Sequence, residues 1–196
     1  MKTKIVFATG NEGKMEEIRA ILAGADVEVI SMKEAGVDVD IVEDGTTFEE
    51  NAAIKAKTIM EATGLITLGD DSGLEVDYLN KEPGIYSARY LGEDTSFPEK
   101  CANILKRMEG VPEEKRTARF VCAIAAAFPD GEVKIVRATI EGSIAHESKG
   151  DKGFGYDPIF YIPEKGLTAS EISMEEKNEI SHRGKALRAM KEVLGI

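Results

Sequence analysis

The chain has 196 residues, of which 42% are hydrophobic, and this composition excludes a disordered protein. The length and apolar content are sufficient for one domain spanning residues 1–196, with or without two lobes. The formal net charge of −11 argues against nucleic acid as a partner, because its phosphates would be repelled outside a local basic pocket.

The first predicted elements enclose a polar turn. A strand at 4–8 leads into Thr9-Gly10-Asn11-Glu12-Gly13-Lys14, and apolar residues at helical spacing predict a helix over 13–23. A strand, a glycine-bearing turn and a helix start form an anion cradle, because backbone N–H groups and the helix dipole face the anion. Lys14 adds a mobile positive charge. The Walker A pattern is absent, so the motif alone is weak support for phosphate binding.

Paired carboxylates follow the next predicted elements, which are a strand at 26–30, a helix at 47–62 and a strand at 65–69. Asp70 and Asp71 come at the predicted end of the last strand, where carboxylates offer the hard oxygen ligands that a divalent cation needs. An Asx turn is the alternative interpretation. Adjacent residues point to opposite sides, so the two are not expected to bind the same ion, and Asp70 is expected to hold the turn.

The second half of the chain has a different pattern. A helix is predicted at 96–109, followed by a long antiparallel hairpin of 117–128 and 133–140. The last helix is predicted from about Ser181, a candidate N-cap, to Leu194. The strand and helix alternation of the first half predicts an α/β fold with a mixed or largely parallel sheet, with α+β character in the second half.

Two further motifs lie in the C-terminal part of the chain, one with aromatic residues between glycines and one with basic residues. The segment 152–158 carries Phe154 and Tyr156 between glycines, which suits base stacking but is more common in hairpin packing. The segment 177–184 places His182 beside Arg183 at a predicted helix start, which makes it a candidate site motif. The alternative interpretation is a solvated helix cap with incidental charges. His146 belongs to no motif and is interpreted as a surface or strand-end residue.

Cys101 and Cys122 are too few and too apolar in context to predict disulfides or a zinc site. No segment has the apolar length of a membrane span, and the first residues contain no targeting signal. We therefore expect a cytoplasmic protein with no membrane partner.

Taken in order, these motifs resemble the inosine triphosphate pyrophosphatase family, which hydrolyses non-canonical purine nucleoside triphosphates. The similar segments cover essentially the whole chain and comprise 8–14, 45–52, 70–74, 83–89, 153–158 and 181–183. The resemblance implies a long, curved mixed sheet with flanking helices, and two lobes around a nucleotide cleft.

The resemblance also implies an activity, namely Mg²⁺-dependent hydrolysis of ITP, dITP or XTP to the monophosphate and pyrophosphate. It implies a homodimer, for which the segment 83–90 is a candidate contact. Two alternatives stay open. One is a pyrophosphatase for modified pyrimidine triphosphates, and the other is a nucleotide-binding sensor that has lost turnover.

Asp71 matches the family's metal-associated carboxylate and proton acceptor. Many family members carry two glutamates before the glycine that matches Gly45, but this chain has Val42 in place of the first. Glu43 is therefore the expected second Mg²⁺ ligand, unless water replaces the missing group. Val42 is also the only sequence feature that favours the sensor alternative.

The expected substrate-binding residues fall into two groups. Lys14 and its loop match the family's phosphate-binding loop, Phe154 is the expected stacking platform, and Tyr156 is expected to be packed. Lys55 is excluded from the site because an exposed helical lysine is the commoner case. The full set comprises Thr9, Gly10, Asn11, Glu12, Gly13, Lys14 and Ser72 for the phosphates, and Phe154, Gly155, Tyr156, Asp157, Lys177, His182 and Arg183 for the rest of the nucleotide.

Overall fold

The structure is a computed structural model, and it describes residues 2–196. Helices and strands alternate through the first half of the chain, as the sequence predicts. The elements are β1 (Thr3–Phe7), α1 (Glu12–Leu22), β2 (Val27–Ser31), α2 (Phe48–Thr63), β3 (Thr67–Val76), α3 (Phe97–Arg107), β4 (Thr117–Ala127), β5 (Val133–Ile144), β6 (Phe160–Ile162), β7 (Leu167–Thr168), α4 (Met174–Ile180) and α5 (His182–Leu194).

The seven strands form one mixed sheet in the order β2-β1-β3-β4-β5-β6-β7. The first three are parallel, because β1 pairs in parallel with both β2 and β3. At the other end, β5 with β6 and β6 with β7 are antiparallel. The predicted α/β fold with a mixed sheet is therefore confirmed.

Strand β3 is longer than the sequence predicts. It runs from Thr67 to Val76, so Asp70 and Asp71 lie inside the strand rather than in a turn after it, and the Asx-turn alternative is wrong. Gly69 lets α2 approach this strand closely. A Cβ there would lie 2.4 Å from the Ala52 carbonyl oxygen and 2.7 Å from the Ala56 nitrogen.

The described chain forms two compact units. The first comprises residues up to Asp71, Cys122–Ala138 and His182–Ile196. Its core includes buried side chains from β1, α1, β3, β4 and α5, and α1 packs against α5. The buried residues Ala186, Leu187 and Met190 lie at helical spacing and form the apolar face of α5.

The second unit comprises Ser72–Val121 and Thr139–Ser181. Its core includes Ile104 of α3 and the C-cap residue Met108, together with Phe120 and Phe160, whose ring centroids are 4.3 Å apart. Arg116 is buried beside this core, and its guanidinium donates to the carbonyl oxygens of Met108, Val111, Ile144 and Ala145. These bonds satisfy a charged group that burial would otherwise destabilise.

Helix α4 was not predicted from the sequence, although Ser173 and Glu176 form a capping box at its start. Ser181 ends α4 as its C-cap residue and directly precedes α5. Both cysteines are free and buried, and His146 is exposed, as expected. Within residues 2–196, none of the helices combines the length and apolarity needed to cross a membrane.

Candidate active site

The strand, polar turn and helix start that the sequence predicts around Lys14 are present at the start of α1. Asn11 is the N-cap residue, and its side-chain oxygen accepts the Lys14 backbone N–H at 3.1 Å. The Thr9 hydroxyl accepts the Asn11 backbone N–H at 3.1 Å, which fixes the loop that precedes the helix. Because α1 begins at Glu12, Glu12, Gly13 and Lys14 form its first turn.

Asp70 is a buried carboxylate that contacts two cations. Its Oδ2 lies 2.9 Å from Lys14 Nζ and 3.7 Å from Arg183 Nε. Arg183 also forms an ion pair with the buried carboxylate of Glu17. Burial alone would raise the pKa of Asp70, but Lys14, Arg183 and Lys55 outweigh it and hold the pKa below its ordinary value. Asp70 therefore contacts cations within β3, and the expectation that it holds a turn is wrong.

Asp71 has different contacts from its neighbour. Its Oδ2 accepts the Asn51 side-chain amide at 3.3 Å, and its Oδ1 lies 3.5 Å from Lys55 Nζ. Burial raises the pKa of Asp71 to about 6, with Glu43 contributing in the same direction and Lys55 opposing it. The carboxylate that the sequence predicts as catalytic therefore occupies an unusual electrostatic environment.

Lys55 belongs to this cluster, and the expectation that it is an exposed helical lysine is wrong. The residue is only 9% exposed. Its Nζ lies 2.9 Å from the Asp70 carbonyl oxygen and 3.1 Å from Glu43 Oε1. Asn51 lies one turn earlier on the same helix face, and its side-chain oxygen accepts the Gly45 backbone N–H at 2.9 Å. The spacing of Asn51 and Lys55 was the sequence signal for this shared position.

The oxygen atoms around the Lys55 ammonium are suitable ligands for a hard divalent cation. They are the Asp71 and Glu43 carboxylates and one backbone carbonyl, all of them oxygen ligands. Over residues 2–196, no group of three or more histidine, cysteine, aspartate or glutamate side chains is placed to hold a metal ion. Mg²⁺ fits this set nevertheless, because it retains several waters and needs only one or two carboxylates. Val42, where the family resemblance led us to expect a glutamate, is 71% exposed.

In the second unit, the structure brings together three of the predicted binding residues. Lys177 Nζ lies 2.7 Å from Asp157 Oδ2 and 4.6 Å from the centroid of the Phe154 ring. The Phe154 backbone N–H also donates to Asp157 Oδ2, at 3.0 Å. Asp157 thus orients both the cation and the aromatic residue, a role the sequence did not reveal.

The glycines of this motif are required by its geometry. A Cβ at Gly153 would lie 2.2 Å from Asp157 Oδ2, and both Gly153 and Gly155 have positive φ angles, of 72° and 65°. Tyr156 is packed as expected, and its hydroxyl donates to the Ser87 carbonyl oxygen at 2.6 Å. These constraints fix the backbone on both sides of Phe154.

The remaining predicted residues lie close to these clusters in the chain. Ser72 follows Asp71 within β3 and is partly buried, and His182 is the buried first residue of α5.

Glu17 was missed by the sequence reasoning. Its position three residues after Lys14 on α1 is a helical spacing, but nothing local indicates that it pairs with a residue 166 positions later.

Comparison with known proteins gives matches over nearly the whole chain. The Ham1 family model matches residues 5–193. The "dITP/XTP pyrophosphatase" of Bacillus licheniformis is 47% identical, covering 97% of each chain, and that of Desulforamulus reducens is 48% identical, covering 97% of this chain and 95% of the relative. A solved HAM1 protein from Coxiella burnetii has a TM-score of 0.90 at 41% identity, and the Staphylococcus aureus Ham1 protein has 0.88 at 41%, each covering 98% of both chains. This chain belongs to the Ham1 family.

Proposed function

We propose that this protein hydrolyses the non-canonical purine nucleoside triphosphates dITP, XTP and ITP to the monophosphate and pyrophosphate. The observation that carries the proposal is the full-length match to proteins named dITP/XTP pyrophosphatase, at 47% and 48% identity over 97% of the chain. The paired cations and carboxylates of the first unit support it, because a triphosphate substrate requires charge neutralisation at its phosphates.

The triphosphate is assigned to the loop and first turn of α1. Thr9, Gly10, Asn11, Glu12 and Gly13 lie at a helix N-terminus, where backbone N–H groups and the helix dipole favour anions. Lys14 supplies a full positive charge from the same turn, and Ser72 adds a hydroxyl. Lys14 contacts Asp70 at 2.9 Å, which holds the ammonium close to the reactive carboxylates.

Asp71 and Glu43 are the proposed ligands of Mg²⁺. When bound, this ion supplies charge neutralisation at the phosphates and lowers the pKa of a coordinated water. Asp71 accepts the proton of the attacking water, whose oxygen forms a bond to the α-phosphorus. The bond from that phosphorus to the bridging oxygen breaks, and pyrophosphate leaves with the electron pair.

The base is assigned to the Phe154 motif of the second unit. Phe154 offers a ring face for stacking, within a backbone fixed by Gly155, Tyr156 and Asp157. Lys177, His182 and Arg183 are the proposed donors to the substrate, because a purine with a 6-oxo group presents an acceptor that adenine lacks.

A homodimer and a cytoplasmic location are also proposed. Tyr86 is 57% exposed and its ring stacks with Arg89, whose guanidinium carbon lies 4.9 Å from the ring centroid. The turn around them is anchored, because Ser87 Oγ accepts the Leu74 backbone N–H at 2.9 Å. An anchored turn with an exposed aromatic and an arginine is suited to a protein contact. The buried free thiols agree with a reducing compartment.

A panel of triphosphates tests the proposed function. ITP, dITP, XTP, GTP, ATP and a modified pyrimidine triphosphate are incubated with the full chain, with and without Mg²⁺, and released pyrophosphate is measured. We expect turnover of the first three substrates only in the presence of Mg²⁺. Preference for the pyrimidine, or no turnover of any nucleotide, would contradict the proposal.

A further inference from the structure

The Lys55 ammonium group occupies a cation position made of three oxygens. Its Nζ lies 2.9 Å from the Asp70 carbonyl oxygen, 3.1 Å from Glu43 Oε1 and 3.5 Å from Asp71 Oδ1. The side chain is almost fully buried, so few water molecules reach the charge. The ammonium therefore depends on these protein oxygens for its stabilisation.

Two carboxylates compensate the positive charge of Lys55. Its Nζ lies 3.1 Å from Glu43 Oε1 and 3.5 Å from Asp71 Oδ1, so the two acids neutralise the ammonium. The two carboxylates benefit in turn. Without a cation between them, Glu43 and Asp71 would repel each other in a partly buried position.

We propose that Lys55 is a placeholder cation, meaning that its ammonium holds Glu43 and Asp71 in place until a divalent ion displaces it. The proposal rests on the proposed function only in taking these two carboxylates as the metal ligands. The oxygens that contact Nζ are of the type that Mg²⁺ and Mn²⁺ bind, so one set of groups serves either cation. The flexible four-carbon stem of a lysine allows the ammonium to move away without a backbone change.

A competition follows from this arrangement. A divalent ion that enters the site must break the contacts of the ammonium, and the free energy of those contacts is subtracted from the affinity of the metal. Removing the positive charge therefore strengthens metal binding and weakens the metal-free fold. If the lysine merely supported the metal ligands, its loss would have the opposite effect on metal binding. Both metal binding and the metal-free fold would then be weakened.

The test measures Mn²⁺ binding to the full chain without nucleotide, by electron paramagnetic resonance of the free ion. Lys55→Met removes the charge and retains the apolar stem. Lys57→Met is the matched control, because Lys57 is exposed on the same helix. We expect Lys55→Met to bind Mn²⁺ at least about tenfold more tightly than the wild type, since a full charge close to the ion is removed. Lys57→Met should bind as the wild type does. Unchanged or weaker binding by Lys55→Met would overturn the proposal.

The location of the gained affinity is tested by a second substitution. In the Lys55→Met background, Glu43→Gln should remove most of the gain, because it deletes one of the two carboxylates. A gain that persists in the double variant would place the ion elsewhere and would also overturn the proposal.

Thermal unfolding provides a readout if Lys55→Met folds poorly. In EDTA this variant should melt below the wild type, and Mn²⁺ or Mg²⁺ should raise its melting temperature by more than that of the wild type. A variant that divalent ions stabilise no more than the wild type contradicts the placeholder role. None of these measurements uses turnover. Tighter Mn²⁺ binding in a protein that hydrolyses no nucleotide would support the placeholder alone, whereas dITP hydrolysis with unchanged Mn²⁺ affinity would remove only the placeholder.

Discussion

Asp70 and Asp71 are adjacent in β3, yet their carboxylates contact different cations. Asp70 Oδ2 lies 2.9 Å from Lys14 Nζ, whereas Asp71 Oδ1 lies 3.5 Å from Lys55 Nζ. The alternation of side chains along a strand produces this division. It allows one carboxylate to be strongly neutralised while the other retains a raised pKa, so the two residues are suited to different tasks.

The first prediction concerns the role of Asp71. Asp71→Asn keeps the size of the side chain but removes its charge, so turnover of dITP should fall by about 100-fold or more, as is typical for the loss of a general base or metal ligand. Initial rates at saturating Mg²⁺ provide the measurement. Asp44→Asn is the control, because Asp44 is exposed in the segment before α2 and should retain full activity. More than half of the wild-type rate in Asp71→Asn would mean that the residue is misassigned.

The second prediction separates phosphate binding from base binding. Lys14→Ala should reduce kcat/KM for ITP and XTP equally, by about 1.5–3 kcal/mol, because the lost charge-assisted contact is to phosphate. These substrates differ only in the base. Arg19→Ala serves as the control, since Arg19 is on the same helix but its ion pair with Glu34 is exposed. Unequal losses for the two nucleotides would indicate that Lys14 contacts the base.

The start of the site could be predicted from the sequence because its determinants are local. The predicted strand at 4–8 and helix at 13–23 follow from hydrophobic periodicity and agree with β1 and α1. The Asn11 cap was not predicted, although its side chain bonds only three residues ahead. The glycines at 153 and 155 were noted as part of a motif, but their positive φ angles were not predicted.

The extent of β3 and the burial of Lys55 could not be predicted in the same way. Asp, Ser and Gly are poor strand formers, so only the pairing and packing of β3 with other segments make Gly69–Gly73 extended. A buried lysine likewise requires distant partners. Lys55 contacts residues 12 positions before it and 15 and 16 positions after it, and no helical pattern reports such contacts.

The third prediction concerns assembly. The protein should sediment as a homodimer at low micromolar concentration, and Tyr86→Ala should shift it toward monomer if the anchored turn forms the contact. Tyr78→Ala is the matched control, because Tyr78 is similarly exposed, at 51%, but lies outside the segment 83–90. A wild-type monomer at that concentration, or equal effects of both substitutions, would exclude the turn as the interface.

The last prediction concerns Arg183, which is 2% exposed and contacts Glu17 and Asp70. Arg183→Ala should destabilise the protein by about 3–5 kcal/mol in urea unfolding, because it removes a buried cation that contacts both Glu17 and Asp70. It should also reduce kcat/KM for ITP much more than for ATP if Arg183 donates to the 6-oxo group, since a lost donor affects only the substrate that pairs with it. The ratio of the two values is insensitive to the amount of folded enzyme, because both substrates meet the same sample. An unchanged ratio would assign Arg183 to the ion-pair cluster alone and leave base selection to Phe154 and Lys177.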